Sequence, residues 1–320
     1  MMTKMTSTKQ HIIELYQKFL DRIPNQSEID YWNNQIDSNL LKFEELLQKI
    51  EGSKEAYLLK LKKQANNSES DTISVNLDGN ILFLNSNDKV AVETYLKTEY
   101  EPGTTNFLKT ILKKGMNVIN IGANVGYFAL LAAREVGPQG KVFAFEPFPQ
   151  TVEILKKNVL VNKFDNIEIE SKAVSNKTDF ATLLTGGSSL HNFISKKKFP
   201  QLTEIKVPTI TVDEFLEHRN ICIDLILIDA EGQEPLIFEG MKNTLQNKNL
   251  KIIFEFNPFT LEFSDTKPDI FLNEIQKMGF LLYLIDENSS SLNLTSTSEL
   301  IKQITPPQVA NIYLTRKSII

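Results

Sequence analysis

Along the first sixty residues the apolar positions recur at helical spacing. Ile12, Ile13, Tyr16, Phe19 and Leu20 lie on one face before Asp21-Arg22-Ile23-Pro24-Asn25 breaks the run. A second helix is expected from Ser27, whose hydroxyl is placed to cap free amides, carrying Ile29, Tyr31 and Trp32. A third covers residues 40 to 50 and a fourth follows Ser53, which predicts a small helical domain over residues 1–62. Residues 63–71 are polar and read as a linker. From residue 72 the period becomes two: Ile73, Val75 and Leu77 alternate, Asp78-Gly79-Asn80 supplies a turn, and Ile81 and Phe83 alternate again, a hairpin pattern. After a helix over 104–113, strands at 117–121, 141–146, 166–170, 223–229 and 251–257 alternate with helices near 125–136, 149–161, 211–218, 235–246 and 267–278. Unbroken apolar runs such as Leu225-Ile226-Leu227-Ile228 suit parallel strands covered on both faces. Two β segments, 280–286 and 311–316, follow the last helix. Residues 72–320 therefore predict an open, doubly wound α/β domain with a β-rich tail.

Composition narrows the partners. The 320 residues are 41% hydrophobic and 23% charged, as in ordinary globular chains, and the formal net charge of -5 excludes a nucleic-acid partner held by bulk electrostatics. The single cysteine, Cys222, sits between Ile221 and Ile223 and reads as a buried core thiol. His11, His191 and His218 are the only histidines and show no metal-ligand spacing. No stretch resembles a secretory leader or a membrane span, so a cytoplasmic location is expected.

Three motifs carry chemistry. Val118-Ile119-Asn120-Ile121-Gly122-Ala123-Asn124-Val125-Gly126 runs from a strand through a glycine turn into a helix, where bare backbone and a helix N-terminus can meet a ligand. Its G-x-x-x-G spacing is neither the dinucleotide fingerprint nor a P-loop. Val142-Phe143-Ala144-Phe145-Glu146 ends the second strand in a carboxylate, placed to accept hydrogen bonds from both hydroxyls of a ribose. Asp229, Glu231 and Glu234 crowd the end of the fourth strand, beside the crevice where open α/β sheets bind ligands. Glu234 reads equally as an acid favoured in a helix's first turn. Oxygen ligands from Asp229, Glu231 and Glu255 would suit a hard cation, but nothing in their spacing requires one, and no metal is expected.

In their order, NIGANVGYF, AFEPFPQTVEILKKNVLVN, TVDEF, DLILIDAEGQE and IIFEFNP resemble the FkbM-type methyltransferases over residues 92 to 260. The resemblance implies a Rossmann-like class I methyltransferase sheet, mostly parallel, seven strands with an antiparallel last strand. It implies S-adenosylmethionine as methyl donor and O-methylation of a sugar, glycan or related hydroxyl. Carried over residue by residue, it places Asn120, Gly122, Ala123 and Asn124 along the methionine part of the donor and Glu146 on its ribose. Ala173 and Val174 fall near the adenine, and Asp229 and Glu231 beside the methyl group. Two positions depart from the family: Asn120 stands where Asp is usual, and Leu227 where Lys is usual. ELYQKFLDRIPNQSEIDYWNNQI with EGSKEAY resembles a short helical domain of unknown function; Tyr31 and Trp32 read as core packing, with a docking role for a protein partner as the minority alternative.

Methyl transfer to a hydroxyl is an in-line displacement that leans on alignment and on a base for the acceptor's proton. Asp229 and Glu231 are expected to orient donor and acceptor, with one of them or His191 taking the proton. The loop 185–210, with Lys196-Lys197-Lys198, is expected to overhang the site; the lysines read as a solvated run or as a steering patch for an anionic substrate. A nucleotide-cofactor oxidoreductase and a non-catalytic scaffold are the competing readings.

Overall fold

In the N-terminal unit, three helices bury the apolar faces that the helical periodicity marks: α1 (Thr8–Leu20), α2 (Gln26–Asp37) and α3 (Phe43–Glu51). Ile12, Tyr16, Leu20, Ile29, Leu46 and Ile50 form the core. The cap of α2 is Asn25, not Ser27: Asn25 Oδ1 accepts from the Glu28 amide at 3.0 Å, and Glu28 returns a bond to the Asn25 amide at 2.8 Å. Trp32 packs half-buried against this core and donates to the Tyr16 hydroxyl at 2.8 Å, whereas Tyr31 is 55% exposed and takes no place in the core expected for it.

The computed structural model describes residues 8–38, 40–51, 53, 56, 72–96, 100–186, 188–189, 192–195, 199–263 and 265–318. The expected linker 63–71 and most of the fourth helix fall outside them. By contacts the chain divides into Met1–Ile73 and Ser74–Ile320. The hairpin β1 (Thr72–Leu77) and β2 (Asn80–Asn85) is followed by α4 (Lys89–Tyr95) and α5 (Pro102–Ile111). Then come β3 (Asn117–Ile121), α6 (Tyr127–Val136), β4 (Lys141–Phe145), α7 (Pro149–Val161) and β5 (Ile167–Glu170). A small-sheet segment follows: β6 (Ala173–Val174), β7 (Phe180–Thr185), β8 (Phe193–Ile194) and β9 (Thr203–Ile210). After α8 (Val212–Leu216) the large sheet resumes with β10 (Leu225–Ile228), α9 (Glu234–Glu239), β11 (Lys251–Phe256), α10 (Pro258–Phe263) and α11 (Pro268–Lys277). The chain closes with β12 (Leu281–Ile285), β13 (Leu292–Thr295), α12 (Thr297–Gln303) and β14 (Ala310–Thr315).

The large sheet runs β13-β12-β14-β11-β10-β3-β4-β5. Its five strands from β11 to β5 are parallel, and β14 is antiparallel to both neighbours. This is the expected mostly parallel sheet with its antiparallel last strand, extended to eight strands because β13 pairs with β12 at the edge. Strand direction of travel reverses between β3 and β10, the switch point at which a crevice opens beyond the strand ends. One face buries Ile119, Phe143, Ile226 and Phe254; the other buries Val118, Ala144, Leu225 and Tyr283. Each fully buried Val, Leu, Ile or Phe among them contributes about 1.5–3 kcal/mol through apolar area removed from water.

Two sequence readings change here. Residues 185–210 are not simply a loop: β7, β8 and β9 pair with one another and with β6 in a second, four-stranded sheet. Pro208 inside β9 obscured it, since proline within a strand pattern argues against a strand. Cys222 is exposed rather than buried, because β10 begins only at Leu225 and the segment before it lies at the surface.

Candidate active site

The site is built at the switch point by backbone register. Ile121 pairs with Ile228 across β3 and β10, so the residues that follow, Gly122 and Asp229, face one another. Gly122 has φ +76°, and a Cβ there would stand 1.7 Å from the Asp229 carbonyl oxygen. Only glycine allows the turn and the close approach. The amides of Gly122 and Ala123 both donate to the Phe145 carbonyl, at 3.0 and 2.9 Å, tying the turn to the end of β4.

At that end sits Glu146, 6% exposed. Its Oε2 accepts from the Asn124 amide at 2.9 Å and its Oε1 from the Phe148 amide at 2.9 Å, so two backbone donors fix the carboxylate. Burial nonetheless pushes its pKa up to about 7, with the Asp229 charge adding to the rise. Asn124 adopts φ +48° and donates from Nδ2 to the Ser189 carbonyl at 3.2 Å, drawing the segment after β7 over the cavity mouth. Ala173 and Val174, both buried, line the same cavity with Leu183 and Phe193.

The cavity encloses about 1140 Å³, its open mouth included, and brings together Asn120, Gly122, Ala123, Asn124, Glu146, Ala173, Val174, Asp229 and Glu231. Of the candidates named from sequence, His191 and Lys196-Lys197-Lys198 lie outside the described residues. Asp229 is open to the cavity yet deep in the protein, and burial raises its pKa. Glu231 and Gly232 both have left-handed backbones, φ +49° and +94°, in the tight turn closed by the Gln233 amide on the Ala230 carbonyl at 3.2 Å. Burial, Asp229 and Glu234 together raise Glu231. Glu234 is 2% exposed and raised to about 7, chiefly by burial; its Oε1 accepts from the Ala230 amide at 3.1 Å, a role inside the turn. Glu255 is raised well above the usual range by burial and by Asp229, Glu231 and Glu101.

The sequence reading passed over Glu101, Tyr95, Tyr100 and Asn311, which also line the cavity. Tyr95 and Tyr100 stack with ring centroids 4.8 Å apart, and Tyr100 meets Tyr127 edge-on at 5.1 Å. Their segment, TYLKTEYEPG with the distant Asn311, has no periodic or motif signal for chemistry. Among the described residues no group of three or more acidic, histidine or cysteine side chains is arranged to hold a metal ion.

Asn120 and Leu227, the two departures from the family pattern, are register partners on adjacent strands. A lysine at 227 beside Asn120 would be a buried cation next to a neutral amide; the pair found here is neutral on both sides. Asn120 is 3% exposed and, among the described residues, its Oδ1 has no hydrogen-bond partner. A buried orphan acceptor at this place fits the ammonium of a bound S-adenosylmethionine, as the absent Cβ at Gly122 and the remaining lone pairs of Glu146 fit its backbone approach and its ribose. The residues present suit that cofactor.

Comparison with known proteins follows the same line. The family model "Methyltransferase FkbM domain" matches residues 120–282, about half of the chain, and "Domain of unknown function (DUF4214)" matches residues 2–59. A protein-L-isoaspartate O-methyltransferase of Methanothrix thermoacetophila is 34% identical over 58 residues, 18% of this chain; the match spans 28% of that protein's length. A probable cobalt-precorrin-6B C(15)-methyltransferase (decarboxylating) of Sulfolobus acidocaldarius is 32% identical over 178 residues, 48% of this chain and 86% of that protein. The solved methyltransferase FkbM from Methylobacillus flagellatus is 11% identical over 81% of this chain and 59% of that one, with a TM-score of 0.44.

Proposed function

The chain belongs to the FkbM methyltransferase family, and from that premise we propose that it transfers a methyl group from S-adenosylmethionine to a hydroxyl of a sugar, glycan or related metabolite. One observation carries the reading: a glycine turn with no room for a Cβ, a strand-end carboxylate fixed by two amides, and an unpartnered buried amide oxygen all line a single cavity.

In this reading Asn120, Gly122, Ala123 and Asn124 hold the methionine part, Glu146 the ribose, and Ala173 and Val174 the adenine. When bound, S-adenosylmethionine supplies a methyl group on a sulfonium, a good electrophile whose departing sulfur keeps the carbon–sulfur electron pair and needs no acid. The chain's own work is alignment and proton removal. Asp229 and Glu231 meet the acceptor, hold its hydroxyl in line, and lie in a field of carboxylates that disfavours further negative charge. A carboxylate of that field takes the acceptor's proton, since raised carboxyl groups are poised as bases near neutral pH. The carboxylate-rich, tyrosine-lined wall supports a polyhydroxylated acceptor, because each carboxylate oxygen accepts from a hydroxyl and sugar faces pack on aromatic rings.

The test is incubation with methyl-labelled S-adenosylmethionine and a panel of monosaccharides, methyl glycosides and glycans. Base-stable label in a sugar ether, lost in Asp229→Asn, is the expected result. Label in a base-labile ester or in an amine, with none in an ether, would overturn the O-methylation of sugars.

A further inference from the structure

Glu101 lines the cavity, and the proposed function gives it no part in holding the cofactor. Resting on the methyltransferase reading above, we propose that Glu101 is the base that takes the acceptor's proton, with Asn311 and Glu287 as residues that position it.

The backbone is the first indication. Glu101 has φ +41° and ψ +66°, a left-handed conformation that a non-glycine residue adopts at a cost, and it precedes Pro102, which crowds the residue before it. Such strain persists where surrounding structure imposes it, and it gathers at functional positions. Here the imposing structure is visible. Gly103 lies so close to the β12–β13 connection that a Cβ would stand 2.4 Å from the Asp286 carbonyl oxygen.

The second indication is a helix cap given away. Glu101 occupies the N-cap position of α5, yet its side chain makes no capping bond. Glu287 performs that task from the β12–β13 connection: it accepts from the Gly103 amide at 2.8 Å, the Thr104 amide at 3.3 Å and the Thr104 hydroxyl at 2.5 Å. The Glu101 carboxylate is thereby released toward the cavity. There Asn311 Nδ2 holds its Oε2 at 2.8 Å, and the same amide nitrogen reaches Glu287 Oε1 at 3.5 Å. One amide thus couples the cap to the base.

The charged and titratable groups facing Glu101 come from several elements: Asp229 after β10, Glu255 on β11, Glu287 after β12, and Tyr95, Tyr100 and Tyr127 around it. Burial is the main cause that lifts Glu101 to about 7; Asp229 and Glu287 lift it further, while Tyr100 and Asn311 hold it down. A carboxylate so poised accepts a proton at neutral pH and can return it to water afterwards.

The experiment needs no acceptor. S-adenosylmethionine and its demethylated product S-adenosylhomocysteine are titrated calorimetrically into the full chain across pH 5.5 to 8.5, in buffers of different ionisation enthalpy, to count protons released. The sulfonium favours ionised Glu101, so S-adenosylmethionine should release more protons than the neutral thioether, with a midpoint near pH 7. Glu101→Gln should remove most of that difference while both ligands still bind. Glu287→Gln should move the midpoint to lower pH and Asn311→Ala to higher pH; a purely structural role gives no such opposite pair. In the transfer assay Glu101→Gln should lower kcat by about 100-fold or more. A proton difference unchanged in Glu101→Gln would overturn this assignment alone, whereas failure of both ligands to bind the intact chain would overturn the methyltransferase reading with it.

Discussion

The two ends of the cavity are held in opposite ways. At the end the proposed function gives to the cofactor, backbone satisfies the polar groups other than Asn120 Oδ1: Glu146 takes the amides of Asn124 and Phe148, and the Phe145 carbonyl takes those of Gly122 and Ala123. At the end the proposed function gives to the acceptor, carboxylates face carboxylates: Asp229 raises Glu101, Glu231 and Glu255, and Glu231 and Glu101 raise Glu255 further. The first arrangement fixes a shape in advance. The second stores unfavourable charge; on the proposed function a bound sulfonium or a captured proton relieves it, so that rigidity serves recognition at one end and electrostatic tension serves reaction at the other.

The largest disruption should come at the fixed end. Gly122→Ala forces a Cβ onto the Asp229 carbonyl in a left-handed backbone and should cost about 3 kcal/mol or more, read as loss of cofactor binding in titration and a lowered Tm. Asp229→Asn should leave the turn intact and lower methyl transfer by about 100-fold. By removing one shared charge, it should also lower the carboxyl pKa values of Glu101, Glu231 and Glu255 together, followed by carboxyl-labelled NMR.

The tension itself has a sign in pH. Glu101, Glu146 and Glu234 are raised to about 7 from an unfolded value of 4.5, so between those limits the native state binds more protons than the unfolded one. Stability from these groups is fully present below about pH 4.5 and is lost as pH rises through about 7. The Tm of the free protein should accordingly fall by several degrees, about 5 °C, between pH 5.5 and 8, and Asp229→Asn should flatten the fall. Glu28 and Glu168, held low by hydrogen bonds from Arg22 and Arg219, act in the opposite sense and lose their contribution only in more acidic solution.

The smallest effect should separate the two ends most finely. Asn120→Leu removes an unpartnered buried oxygen, so the free protein should gain about 1 kcal/mol in urea unfolding. The same change should weaken S-adenosylmethionine about tenfold by removing the acceptor for its ammonium. A gain in stability without loss of affinity would take Asn120 out of the cofactor site.

The contrast also explains what the sequence made legible. The fixed end lies within short contiguous motifs, strand, glycine turn and strand-end acid, where local spacing is enough to find Gly122 and Glu146. The five expected parallel strands are present, the central ones announced by apolar runs, and so are the two β segments expected after the last helix. The acceptor end is assembled from positions far apart in the chain. Glu101 meets Asn311, and Asn311 meets Glu287, only because β12 and β14 pair within the sheet, and no local pattern encodes that meeting. Glu101 moreover stands where a helix cap is expected, so its chemistry is disguised as a poor capping residue. The second sheet was hidden for a related reason: β6, β8 and the ends of β9 are too short, or interrupted by Pro208, to show alternation.

The central claim, that this cavity is the S-adenosylmethionine site of a working methyltransferase, is tested most directly by calorimetric titration of the intact protein and its Glu146→Ala variant with S-adenosylmethionine. The account predicts binding by the intact protein that weakens by about 10- to 100-fold in the variant, the effect of losing a charge-assisted contact to the ribose hydroxyls. Equal affinity in both proteins, or no binding by the intact one, would contradict it.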